Sequence, residues 1–92
     1  MTTVQDLQEW FDRGKHMKAT HMIVVCDTYD WEDYPVFVMP TENLTQKANE
    51  HHGPNMQKVM EVYNLSKPFD KQNMIGRYAF DGWNPTTDGI LR

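Results

Sequence analysis

Hydrophobic positions recur along this chain with two different periods, and the changes from one to the other mark its elements. In "TVQDLQEWFDR", residues 3–13, Val4, Leu7, Trp10 and Phe11 fall at i, i+3, i+6 and i+7, the single apolar face of an amphipathic helix. Thr3 stands where it can cap that helix, and Asp6, three residues on, is its capping-box partner. Acids in the first turns and Arg13 in the last suit the helix dipole. Gly14 is the expected stop, because glycine takes the left-handed conformation at little cost. In "HMIVVCD", residues 21–27, the period drops to two. Met22, Val24 and Cys26 point one way and Ile23 and Val25 the other. Both sets are apolar, which predicts a central strand covered on both sides. "YPVFVM", residues 34–39, reads as a second strand, and Pro35, which cannot donate to a ladder, puts it at an edge or at a strand's first residues. The six or seven residues between the two strands suit an antiparallel hairpin with a longer loop.

Beyond the hairpin, "ENLTQKANEHH", residues 42–52, reads as a second helix, with Thr41 as N-cap and Gly53 as stop. Its apolar face is only Leu44 and Ala48, so it is expected on the surface. "MQKVMEVY", residues 56–63, fits both templates. Met56, Val59, Met60 and Tyr63 match a helix, whereas Val59, Glu61 and Tyr63 alternate with Met60 and Val62 as in a strand. The β-rich end of the segment and the marginal stability of an isolated hairpin favour the strand. "KPFDKQNMIGRYA", residues 67–79, is expected to contain a short helix, with Pro68 in its first turn and Phe69, Met74 and Tyr78 on a loose face. Gly76 weakens that helix by up to ~1 kcal/mol. Phe80 and Trp83 are expected to fold back on the core, and residues 84–92 to form a loose tail. The resulting order, α-β-β-α-β-α, describes an α+β domain over residues 1–83, a small, mainly antiparallel three-stranded sheet with helices packed on one face.

Ninety-two residues make one domain with a thin core. The single cysteine, Cys26, lies in an apolar run, which fits a reducing compartment and a buried, inert thiol. "MTTVQDLQEW" shows neither a basic n-region nor an apolar h-region, and the longest apolar run, Met22 to Cys26, is far short of a membrane span. A soluble, cytoplasmic protein is therefore expected. The formal net charge of −4 argues against direct, non-specific nucleic-acid binding, which needs clustered lysine and arginine. Charge is unevenly placed: Arg13, Lys15, His16 and Lys18 form a basic segment, and Asp27, Asp30, Glu32 and Asp33 an acidic one.

That acidic segment, in "CDTYDWEDYPVFV", interleaves its carboxylates with Tyr29, Trp31 and Tyr34. A solvated hairpin tip accounts for the charge alone. Exposed tryptophan and tyrosine beside charges also resemble the anchors of a binding surface, which nominates Tyr29, Asp30, Trp31, Glu32 and Asp33 as contacts to a partner protein. Acid–base catalysis would need two carboxyls in unlike environments, and no nucleophile or oxyanion motif accompanies these. A calcium loop has its acids at other offsets and a glycine. His16, His21, His51 and His52 lack zinc spacing, and no glycine-rich phosphate loop is present, so no metal or cofactor is expected. Two alternatives stay open. One is an enzyme or ligand-binding protein that holds a divalent metal with Asp27, Asp30, Asp33 and a histidine. The other is a structural or assembly protein that homodimerises through a free sheet edge.

"ATHMIVVCDTYDWEDYPVFV" followed by "NMQKVMEVYNL" resembles a set of small, uncharacterised proteins encoded by tailed phages and prophages, over roughly residues 3–65. The resemblance implies a phage context and the cytoplasm of a bacterial host. It carries no catalytic role onto any residue.

Overall fold

A computed structural model describes residues 2–53, 56–73 and 79–85. Its elements run α1 (Val4–His16), β1 (His21–Asp27), β2 (Glu32–Val38), α2 (Leu44–Glu50), β3 (Gln57–Asn64) and α3 (Phe69–Gln72), the expected α-β-β-α-β-α order. The strands form one antiparallel sheet in the order β2-β1-β3. The apolar strand β1 is thus central, and β2, with Pro35, lies at an edge.

Helices cover both faces of this sheet, not one. Met22, Val24 and Tyr63 face Leu7 and Phe11 of α1 and Phe69 of α3. Ile23, Val25, Val38, Val59 and Val62 face Ala48 of α2 and the returning Trp83. The physical reason lies in β1: both of its faces are apolar, so each needs a cover. Residues 79–81 run beside β3, with the Val62 N–H donating to the Ala79 carbonyl at 2.7 Å and the Asp81 N–H to the Val62 carbonyl at 2.9 Å. No helix among the described residues is long and apolar enough to cross a membrane.

Helix α1 starts as expected, with a reciprocal capping box between Thr3 and Asp6. It does not stop at Gly14. That glycine lies inside the helix, buried where a Cβ would come within 2.8 Å of Leu65 Cδ1 and Phe37 Cε1. The left-handed position falls instead on Lys18, at φ 64°. There the Lys18 N–H donates to the Lys15 carbonyl and the Ala19 N–H to the Gly14 carbonyl, each at 3.0 Å, a Schellman closure without its usual glycine. Gly14 serves close packing, and Lys18 carries backbone strain. Gly14→Ala would gain about 1 kcal/mol of helix propensity but lose about 1–3 kcal/mol to overpacking against the Phe37 ring. A net loss of stability is therefore expected in thermal denaturation, and Lys18→Gly is expected to raise the melting temperature. A more stable Gly14→Ala variant would mean that Leu65 and Phe37 move aside freely.

The other elements differ from expectation in detail. Helix α2 is shorter than residues 42–52, and its cap is Asn43, not Thr41, with Asn43 Oδ1 accepting from the Gln46 N–H at 2.9 Å. Pro68 precedes α3 as its N-cap. Residues 74–78 of the expected third helix lie outside the described residues, as does the expected tail from residue 86 onward. In β3 the pairing shifts between Val24↔Glu61 and Val25↔Val59, which leaves Met60 as a bulge. The extra residue breaks the simple alternation. Val59 and Val62 face α2, while Glu61 and Tyr63 face α1. Glu61 is fully buried there, its Oε1 accepting from Tyr63 Oη at 2.7 Å, and Tyr63 Oη accepts in turn from Asn73 Nδ2 at 2.7 Å. A carboxyl under a helix needs such donors, because burial without hydrogen bonds is costly.

Candidate functional site

Strands β1 and β2 stay in register from His21↔Val38 to Asp27↔Glu32, so only residues 28–31 remain in the turn. The turn is shorter than the sequence suggested, because Glu32 and Asp33 are the first residues of β2 rather than loop. The Trp31 N–H donates to the Asp27 carbonyl at 2.7 Å and closes it. Two of the carboxylates hold the loop itself: Asp27 Oδ1 accepts from the Tyr29 N–H at 2.8 Å, and Asp30 Oδ1 from the Glu32 N–H at 3.1 Å. Thr28 ties the turn to the start of β3, its N–H and Oγ1 both donating to the Met56 carbonyl, at 2.7 and 2.9 Å.

This scaffolding presents two rings to solvent. Tyr29 is 77% exposed and Trp31 67% exposed. Trp31 also takes φ 60°, the left-handed region, where a bulky side chain costs about 1–2 kcal/mol. Asp30 and Glu32 are exposed and Asp33 is half-buried. Pairing sets Asp33, Cys26 and Lys58 in one row on the α1 face, and Glu32, Asp27 and Gln57 in the next row on the α2 face. Lys58 Nζ lies 5.8 Å from the centroid of the Trp31 ring, a cation–π contact. Met56, beside the turn, is 54% exposed.

Met56 and Lys58 are therefore part of the surface, and a local reading of the hairpin misses them. The signal that could have found them is the strand assignment of residues 56–63. A third strand antiparallel to β1 must bring its first residues to the hairpin's end.

The same register separates the acids nominated for a metal. Asp27 and Asp33 project from opposite faces of the sheet. Among the described residues no three histidine, cysteine, aspartate or glutamate side chains group to hold an ion. Cys26 is buried in the sheet, with its Sγ 3.7 Å from the Asp27 carbonyl. Behind the tip, on the α2 face, Tyr34 Oη and His51 Nδ1–H both donate to Gln57 Oε1, which links β2, β3 and the end of α2. Burial, with the nearby Asp27 charge adding to it, raises the Tyr34 hydroxyl above its ordinary value.

The surroundings of His21 favour its neutral form. Thr20 Oγ1 gives its hydrogen to the Val38 carbonyl, so at 3.1 Å it can only accept from His21 Nδ1–H. Burial lowers the His21 pKa below its ordinary 6.5, against the attraction of Asp81. His52 Nδ1 accepts from the Val59 N–H at 3.0 Å. For His21, a lowered folded value means that the unfolded chain takes up a proton the folded chain refuses. Its contribution is fully present above 6.5 and is lost as pH falls below it. The melting temperature is expected to fall steadily from about pH 7.5 to about pH 5.5, and less so in His21→Asn. An unchanged slope in that variant would remove His21 from the account.

Comparison of the chain with protein-family models, with curated proteins and with solved structures returns no match.

Proposed function

We propose that this chain is a non-enzymatic protein-interaction module of phage type, whose hairpin tip docks on a basic surface of a host or phage protein in the bacterial cytoplasm. The observation that carries the reading is the pair of exposed rings, Tyr29 and Trp31, on a turn whose backbone is already fixed by Asp27, Asp30 and Thr28. Trp31 is displayed at φ 60°, a conformation whose strain a glycine in the same turn would not carry. A partner would gain a rigid aromatic anchor with little ordering entropy to lose on binding. The carboxylates of Asp30, Glu32 and Asp33 add long-range attraction toward a basic surface and set the orientation of approach.

The test is affinity capture from bacterial lysate, comparing the unaltered protein with a folded variant carrying alanine at Tyr29, Asp30, Trp31 and Asp33. A partner held by the first and lost from the second is the expected result, with capture weakening as salt is raised. Equal capture by both proteins would move the contact surface away from the hairpin.

A further inference from the structure

The end of the sheet carries more than the hairpin. Tyr29, Trp31 and Met56, all more than half exposed, come from two different segments and are joined through the bonds from Thr28 to the Met56 carbonyl. Lys58 sits over the Trp31 ring, and Asp33 lies two strands away in the same row on the same face. We infer that this surface binds an arginine side chain of a basic protein segment, and that Lys58 holds the place of that cation in the free protein. The inference rests on the interaction reading above and names the chemistry of the partner.

Three features carry it. First, the Trp31 ring already takes a cation from the chain itself, at 5.8 Å, so its face is oriented and accessible for one. Second, the charge described around the ring is unbalanced. The exposed Asp30 and Glu32 flank it, and among the described residues Lys58 is the one lysine or arginine in the strand rows beside them. The site attracts a second positive group and repels an acidic one. Third, arginine fits better than lysine. Its planar guanidinium stacks flat on an indole, is more weakly hydrated than an ammonium, and reaches a carboxylate with two parallel N–H donors while it stacks. Lys58 itself is exposed and on a long stem, so it can swing away when the arginine arrives. It competes for the ring and repels the incoming charge. Lys58 therefore lowers affinity for the very partner the surface is built for.

The experiment uses the full chain labelled with nitrogen-15 and three capped tripeptides, Gly-Arg-Gly, Gly-Lys-Gly and Gly-Glu-Gly, at one ionic strength. The indole N–H signals of Trp10, Trp31 and Trp83 are followed. The arginine peptide is expected to shift the Trp31 signal saturably and more tightly than the lysine peptide. The glutamate peptide is expected to leave it in place. The Trp83 signal, from an indole buried and bonded to Asn49, serves as the unmoved control. Lys58→Met is expected to tighten the arginine peptide by roughly two- to five-fold, the effect of one exposed cation–π contact, and Lys58→Gln to act the same way. Overturning results are an unmoved Trp31 signal with the arginine peptide, a stronger response to the glutamate peptide, or weaker arginine binding in both Lys58 variants. Any of these together with hairpin-dependent capture from lysate would leave the docking reading in place with another partner chemistry. Without such capture, both readings would fall.

Discussion

Replacing Trp83 by alanine is expected to remove about 3–5 kcal/mol of stability, the range for deleting a large buried aromatic. Trp83 is 1% exposed and sits among Ile23, Val25, Val38, Val59 and Val62 on the α2 face of the sheet. Its Nε1–H donates to Asn49 Oδ1 at 3.2 Å, and the His52 ring meets it at 5.3 Å and 69°. Gly82, at φ 90° and with no room for a Cβ beside Leu44, makes the turn that delivers the indole. Helix α2 covers its face of the sheet with only Leu44 and Ala48, so the tryptophan supplies most of the remaining apolar cover. A domain of this size has about 5–15 kcal/mol in total, so the loss is a large fraction of it. The melting temperature should fall by more than ~10 °C. Trp10, only half-buried, should cost far less when truncated. Comparable losses at both positions in denaturant titrations would show that the two faces do not divide the core in this way.

Trp31→Gly is expected to separate binding from folding. Glycine relieves about 1–2 kcal/mol of left-handed strain, against about 0.5–1 kcal/mol for glycine's extra chain entropy and about 0.5–1 kcal/mol for the lost contact with Lys58. These terms nearly cancel, so stability should stay within about 1 kcal/mol of the parent. Binding should not survive as well. An aromatic anchor at the centre of an interface is worth about 2 kcal/mol or more, which is roughly thirty-fold in affinity. Denaturation midpoints and partner titration on the same preparation check both halves. A variant that binds as tightly as the parent would remove Trp31 from the interface, and one that unfolds would make the indole a structural element of the turn.

Much of this architecture was legible in the sequence, and the reasons are local. Thr3 and Asp6 announce the start of α1 because a capping box is closed within one turn. The two-sided apolar run Met22 to Cys26 marks the central strand, since only a strand buried on both faces can use it. Pro35 assigns β2 to an edge, because it has no amide to give. The aromatic-acidic segment is placed at a hairpin end by the strands that flank it.

What only the tertiary structure decided depends on atoms far apart in the chain. Gly14 looks like a helix stop until Leu65 and Phe37 press against it, and then it is the one residue small enough to let α1 continue. The acids at 27 and 30 look like a charge cluster until their oxygens are seen to accept from the turn's own amides. Val59 looks like a neighbour of Glu61 and Tyr63 on one strand face until the Met60 bulge turns it toward α2 and leaves Glu61 beneath α1 with Tyr63. Lys58 reaches Trp31 only because β3 pairs beside β1. The sequence by itself determined which segments are helix, strand and turn, because propensity, capping and hydrophobic period act over a few residues. Which side chains share a face, a contact or a binding surface was decided by strand register and close packing, which depend on partners that no short window of sequence contains.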